Sequence, residues 1–247
     1  MAESSIEWTE HTWNPVTGCT KISPGCKHCY AETMTRRLTA MGTPGYEKGF
    51  TLSIHPERLD QPKRRKSPTT YFVNSMSDLF HEDVPDSFIE QVLKVCRETP
   101  QHTYQVLTKR AERLPVFFES RDCPTNVWLG VSVEDKKYGV PRIEHLRKTR
   151  AAVRFLSVEP LLEDVGPLDL KDIHWVIVGG ESGAKARPMK QEWADSVRRQ
   201  ALAQGVAFFF KQWGAWGADG VRRDKKSNGR ELAGRRWNDF PVRVSTC

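Results

Sequence analysis

From Tyr71 onward the apolar positions switch repeatedly between two periods. Short runs of β-type residues at Tyr71–Asn74, Thr103–Leu107, Val127–Val133, Val153–Val158, Trp175–Val178 and Val206–Phe210 each predict a strand. Helical spacing fills most of the gaps between them. Asp86–Glu98 repeats Phe88, Ile89, Val92, Leu93 and Cys96 on one face, and Arg110–Glu119, Arg142–Lys148 and Gln191–Gln204 follow the same period. An irregular segment follows Val158. Upstream, Thr12–Thr17 predicts a first strand and Cys29–Ala40 a first helix. Successive strand-then-helix units imply a parallel sheet with helical crossovers, and six or seven of them close, or nearly close, a barrel. The fold class is therefore α/β, a partial parallel (β/α)6-type barrel.

No Gly/Ser linker divides the chain. The expected organisation is one barrel over residues 1–216, with an insertion at about 42–70 and a basic tail at 217–247. The insertion carries Lys63-Arg64-Arg65-Lys66, and the tail carries Arg222, Arg223, Lys225, Lys226, Arg235 and Arg236. Such runs form either solvated surface or a rim for phosphate groups.

The strand ends change the picture from fold to site. They finish in Asn74 to Asp78, Thr108-Lys109, Ser132 with Glu134, Glu159, Glu181 and Lys211-Gln212. In a parallel barrel all strand C-termini share one end, so these groups converge on one pocket.

Six cysteines are present, and Cys19, Cys26 and Cys29 crowd into one loop between the first strand and the first helix. Cys96 falls on the apolar side of a helix, and Cys123 and Cys247 read as incidental. The N-terminus lacks a basic segment followed by an apolar one, so cytoplasmic residence is expected, where a metal centre is a better use of clustered thiols than disulfides. Two centres fit the count. Zinc would need a fourth ligand, from His11 or His28. A [4Fe–4S] cluster would use one thiolate per iron and leave one iron open for a small molecule such as S-adenosylmethionine. Pro15, Gly18, Pro24 and Gly25 give the loop the tight turns that a bulky centre requires. Net charge is +7 with a sequence pI of about 9.1, which favours an anionic partner such as nucleic acid or a nucleotide.

These residues resemble a known family. Gly18-Cys19, Gly25-Cys26 and Cys29-Tyr30-Ala31, then Asn74-Ser75-Met76-Ser77-Asp78, Leu107-Thr108-Lys109, Val131-Ser132 and Arg142 are similar to the motifs of the radical S-adenosylmethionine superfamily, in its spore photoproduct lyase-like group. The WNP opening and the closing run Phe209-Phe210-Lys211-Gln212-Trp213-Gly214 resemble a phage- and plasmid-associated three-cysteine family still more closely. The loop departs from the superfamily's usual C-x-x-x-C-x-x-C pattern, because six residues separate Cys19 from Cys26.

The resemblance implies a [4Fe–4S] cluster held by Cys19, Cys26 and Cys29. It also implies S-adenosylmethionine as cofactor, a flavodoxin- or ferredoxin-type reductant as partner, and a 5′-deoxyadenosyl radical that abstracts hydrogen. Asn74, Ser75 and Ser77, beside Asp78, would meet the cofactor's amino group. Ser132 and Glu134 would meet its ribose, and Gly179 and Gly180 would admit its adenine or methionine. Lys109, Glu159, Glu181 and Tyr30 make up the expected catalytic set. Internal ion pairs are the alternative for the three charged residues, and packing beside the cluster is the alternative for Tyr30. Arg187, Lys211 and Trp213 would face substrate, and Trp216 could stack on a base. Turn, ion-pair and hydrophobic-cover roles compete with these for the glycines, the charges and the tryptophans. His81 reads as a substrate contact or as surface.

Overall fold

The computed structural model describes residues 2–242. Its main sheet has eight strands in the order β1 (Ala2–Glu3), β2 (His11–Trp13), β5 (Thr70–Val73), β6 (Thr103–Thr108), β7 (Val127–Ser132), β8 (Val153–Val158), β9 (Trp175–Gly179) and β10 (Ala207–Gln212). The missing numbers are β3 (Val16–Thr17) and β4 (Ser53–Ile54), which form a separate antiparallel pair. Only β1 runs antiparallel to its neighbour; β2 and β5 to β10 form a seven-strand parallel sheet curled into a half-barrel, as the repeated strand-then-helix pattern predicts. The helices are α1 (Tyr30–Ala40), α2 (Asp86–Glu98), α3 (Arg113–Phe117), α4 (Arg142–Arg147), α5 (Gln191–Ala203) and α6 (Lys225–Asn228). Among the described residues no helix is long and apolar enough to cross a membrane.

Strand alternation divides the core in two. Val127, Leu129 and Val131 of β7, with Leu156, Val158, Val176 and Val178, pack against Val92 of α2, Ile143 of α4 and Val197 of α5. The intervening residues turn to the concave side, where Trp8, Trp128, Phe155, Trp175, Ile177 and Phe209 form a second cluster to which no helix contributes. The Trp175 ring lies edge-on to Trp8, Trp128 and Phe209. Gly130 makes room for this plug, since a Cβ there would come within 2.4 Å of the Phe155 ring. Further along the same strands the concave residues become Ser132, Ser157 and Lys211. The half-barrel thus has an aromatic floor and a polar mouth at its strand C-termini.

The predicted first strand is broken in two by Asn14-Pro15. Proline cannot donate to the ladder, and the Asn14 carboxamide oxygen instead accepts from Ser75 Oγ (3.2 Å) and the Met76 amide (3.1 Å). Val16–Thr17 then pairs with Ser53–Ile54, so the 42–70 segment braces the stem of the cysteine loop. Trp13 Nε1 donates to the Arg58 carbonyl at 2.8 Å, and a Cβ at Gly18 would stand 2.2 Å from the Thr51 oxygen. The described part of the basic 217–247 segment also packs. Leu232 and Trp237 join the main core, and Trp175 Nε1 donates to the Asp239 carbonyl at 2.8 Å. Cys247 lies outside the described residues.

Candidate active site at the mouth of the half-barrel

The cysteine loop crosses the polar mouth and is tied there strand by strand. At its start, Gly18 bridges Ser77, and Ser77 Oγ donates to the Val16 carbonyl at 2.8 Å. Asn74, at the end of β5, adopts φ +59°, a conformation asparagine tolerates better than most residues. Its Oδ1 accepts from the Val16 amide at 3.2 Å, while its Nδ2 is buried without a partner. Thus Asn74, Ser75 and Ser77 all support the loop, and the Asn74 amide nitrogen remains a free buried donor beside it.

The end of β6 reaches two of the three cysteines. Asp78 is buried and organises this strand end. Its Oδ1 accepts from Thr108 Oγ1 (2.8 Å), and its Oδ2 accepts from the Lys109 amide (3.0 Å) and Arg110 Nη1 (3.3 Å). Arg110 donates on to Cys19 Sγ at 3.5 Å. Lys109 turns the opposite way, toward Cys26, with Nζ donating to Ser132 Oγ at 3.0 Å. Two adjacent cations just past the end of β6 thus serve two different thiols.

The two thiols accordingly differ. Burial pushes Cys19 up to about 11, helped by the Asp78 charge and only partly opposed by Arg110. Burial also pushes Cys26 upward, but the Lys109 charge and hydrogen bonds from Ile22 and Ser23 outweigh it and hold Cys26 below its ordinary value.

β7 contributes the third tie. Glu134 is 0% exposed; its Oε2 pairs with Arg142 Nη1 at 2.6 Å, and its Oε1 accepts from Ser23 Oγ in the cysteine loop. Arg142 Nη1 also donates to the Ser132 carbonyl at 2.7 Å. Burial alone would raise Glu134, but Lys109, Arg142 and the hydrogen bonds from Ser23 and Arg142 hold it below its ordinary value. The expected ribose ligand is thus occupied as a latch on the loop.

On the far side of the mouth Lys211 pairs with Glu159 Oε1 at 3.2 Å, and Glu159 Oε2 accepts from Ser157 Oγ at 3.3 Å. Glu181 is buried and holds Arg187 through Nε (2.9 Å), Nη2 (2.6 Å) and the main-chain amide (2.8 Å). Burial raises the Glu181 carboxyl, yet Arg187, with a further contribution from His28 of the cysteine loop, brings it below its ordinary value. Lys109, Glu159, Glu181, Lys211 and Arg187 therefore all meet at the mouth, and four of these five sequence-expected charges are joined to partners within that same set.

Five expectations come out differently, those for Trp213, Trp216 and the glycine pair in favour of their structural alternatives. Tyr30 is 63% exposed at the start of α1, so it does not pack beside the cysteines. Trp213 is buried and its Nε1 donates to the Glu231 carbonyl at 2.8 Å, which leaves no face for substrate. Trp216 Nε1 likewise donates to the Ala186 carbonyl at 2.8 Å. Gly179 and Gly180 answer to the protein itself: a Cβ would lie 2.2 Å from Glu159 Oε1 at the first and 2.0 Å from the Trp213 oxygen at the second. His81, read as substrate contact or surface, is 0% exposed and hydrogen-bonds Thr20 Oγ1 at 2.9 Å. Sequence reading missed Asn14, Ser23, Glu82 and Arg110. The only signal for Arg110 was its place next to Lys109, and no local pattern reports that it meets Cys19 and Thr20 of the loop.

The donor chemistry of the loop fits a cluster. Cys19, Cys26 and Cys29 are free and half-buried. Among the described residues no group of three His, Cys, Asp or Glu side chains is drawn close enough to hold one metal ion. A [4Fe–4S] cluster takes one thiolate per iron, and three cysteines would supply three of them. Flanking Lys109 and Arg110 suit the negative charge that such thiolates bring.

Solved structures of spore photoproduct lyase are similar to this curled parallel half-barrel. A tyrosine-to-phenylalanine mutant of that enzyme matches at TM-score 0.54 and 13% identity, over 85% of this chain and 78% of the other. The form complexed with dinucleoside spore photoproduct matches at TM-score 0.48 and 14% identity, over 80% and 62%. A cysteine-to-serine mutant matches at TM-score 0.47 and 16% identity, over 72% of this chain and 58% of the other. The chain thus spans about three fifths of the length of that last structure. The first of these, at TM-score 0.54 and 13% identity, shows the fold alone. No curated protein matches the chain. Residues 3–241 match the family described as protein of unknown function (DUF5131), and the chain belongs to that family.

Proposed function

We propose that the protein is a radical S-adenosylmethionine enzyme whose [4Fe–4S] cluster is held by Cys19, Cys26 and Cys29. The observation that carries this reading is the position of the loop. Three free thiols lie across the C-terminal mouth of a parallel half-barrel, beside two cations that follow β6 and an unpartnered buried amide. When bound, the cluster and cofactor would supply one-electron cleavage of the sulfonium and a 5′-deoxyadenosyl radical.

The chain's own groups then divide the work. Lys109, whose side chain hydrogen-bonds only the neutral Ser132 hydroxyl, is free to take a carboxylate. Asn74 Nδ2 offers a donor beside the loop. Lys211 with Glu159, and Arg187 with Glu181, line the opposite wall and are the groups left for substrate. The aromatic floor of Trp128, Phe155 and Trp175 closes the barrel below and excludes water from that side. Net charge of +7 and the exposed Lys185, Arg222 and Lys226 favour a nucleotide or nucleic-acid-related substrate.

Anaerobic reconstitution with iron and sulfide tests the core of the proposal. The expected result is cluster absorbance with about four irons per chain, one cluster's complement, and release of 5′-deoxyadenosine and methionine on reduction with the cofactor present. Cys26→Ala should lose both. Stoichiometric zinc uptake with no cluster absorbance would overturn the reading. For the substrate, RNA and DNA oligonucleotides should bind at low salt and dissociate as salt rises; absence of low-salt binding would direct the search to peptides or small metabolites.

A further inference from the structure

The spacing of the cysteines leaves a physical problem. Six residues separate Cys19 from Cys26, so Cys19 is the ligand least constrained by the chain, and a longer loop costs more entropy to hold closed. Arg110 answers this problem. Its guanidinium has five N–H donors, and five acceptors surround it. Nε donates to Glu82 Oε2 (2.5 Å). Nη1 donates to Cys19 Sγ (3.5 Å) and Asp78 Oδ2 (3.3 Å). Nη2 donates to Thr20 Oγ1 (2.7 Å) and the Thr20 carbonyl (3.3 Å). The side chain is 10% exposed. Three of the five acceptors belong to Cys19 and Thr20; the other two are carboxylates carried by the segment after β5.

We infer that Arg110 is a positioning residue for the metal centre, holding Cys19 in place of the shorter loop and donating a hydrogen bond to its sulfur. This rests on the cluster reading under Proposed function. The planar, rigid fork fixes the direction of each bond, which a lysine's single ammonium cannot reproduce. With a cluster bound, a cationic N–H donor at a ligand sulfur would favour its more negative, reduced form, so Arg110 would raise the reduction potential as well as hold the ligand.

The test uses two readouts on the full-length protein. In the metal-free protein, hydrogen–deuterium exchange of the cysteine loop is followed peptide by peptide by mass spectrometry. Arg110→Met should speed exchange around Cys19 and Thr20 by about tenfold or more, the effect of losing a charge-assisted hydrogen bond, and leave the segment from Cys29 unchanged. Arg110→Lys should fall between. In the reconstituted protein, Arg110→Met should lower iron occupancy and shift the cluster midpoint potential downward, with partial rescue by Arg110→Lys. Should Arg110→Met fail to fold, Glu82→Gln, which leaves the buried cation in place and weakens only its Nε contact, should give the same Cys19-selective rise in exchange at smaller amplitude. Unchanged exchange around Cys19 in both Arg110→Lys and Glu82→Gln, or equal acceleration from Cys29 onward, overturns the inference. Failure of the wild-type protein to take up a cluster refutes the functional reading, while the exchange arm still decides whether Arg110 clamps Cys19.

Discussion

Glu134→Ala removes the latch between β7 and the cysteine loop, and its cost can be worked from the contacts. The carboxylate is fully buried and its partner Arg142 has a side chain only 4% exposed. Alanine leaves the guanidinium buried with the Ser132 carbonyl but no counter-charge, and leaves the Ser23 hydroxyl without its acceptor. Breaking a buried pair from one side costs about 3–5 kcal/mol. In a chain of this size each kcal/mol lowers the melting temperature by about 2–4 °C, so the expected drop is about 6–20 °C. The double variant Glu134→Leu with Arg142→Leu should recover much of it, because removing both charges also removes their desolvation.

The effect has a definite pH sign. Glu134 is held below its ordinary value, so its contribution is complete above the unfolded-state value and is lost as pH falls through the lower folded value. The gap between wild type and Glu134→Ala should therefore be full at neutral pH and close in acid. Thermal denaturation followed by circular dichroism from neutral pH downward measures both. A neutral-pH melting point within about 2 °C of wild type, well under the drop expected for a broken buried pair, or a gap that widens on acidification, would refute the reasoning.

Three further outcomes are expected. Lys109→Met should raise the Cys26 thiol by removing the charge that lowers it, so its alkylation at neutral pH should slow; a rate equal to wild type would contradict the assigned contact. Trp175→Ala should cost about 3–5 kcal/mol, because the ring is fully buried among Trp8, Trp128, Phe155 and Phe209; chemical denaturation measures it, and a loss below about 1 kcal/mol would mean the floor is not packed as described. Gly180→Ala should destabilise by forcing main chain from main chain, since its Cβ would stand 2.0 Å from the Trp213 oxygen; a normal melt would show that β9 and β10 part easily there.

The alternation of short β runs with helical periods was enough to determine the parallel sheet, its strand sequence and most boundaries. Asp86–Glu98 and Val153–Val158 match residue for residue, because each has a period that no neighbouring segment disturbs. The convergence of Lys109, Ser132, Glu134, Glu159, Glu181 and Lys211 at one mouth followed from the same topology. The sequence also singled out three cysteines in a loop at that mouth. It did not determine which polar groups are free. Glu134, Asp78 and Glu181 read as ligands for a cofactor or as catalytic groups, yet each is engaged by an arginine. Those arginines lie 8, 32 and 6 residues away along the chain, and no local period reports such pairings. Trp213 and the glycine pair changed role for the same reason: their neighbours come from other strands and from the 217–242 segment. Only tertiary structure could place Arg110 against Cys19, 91 residues apart, because a side chain's hydrogen-bond partners are fixed by how strand ends meet in space. The three cysteines were legible as a candidate metal-binding loop; the clamp that compensates for their wide spacing was not.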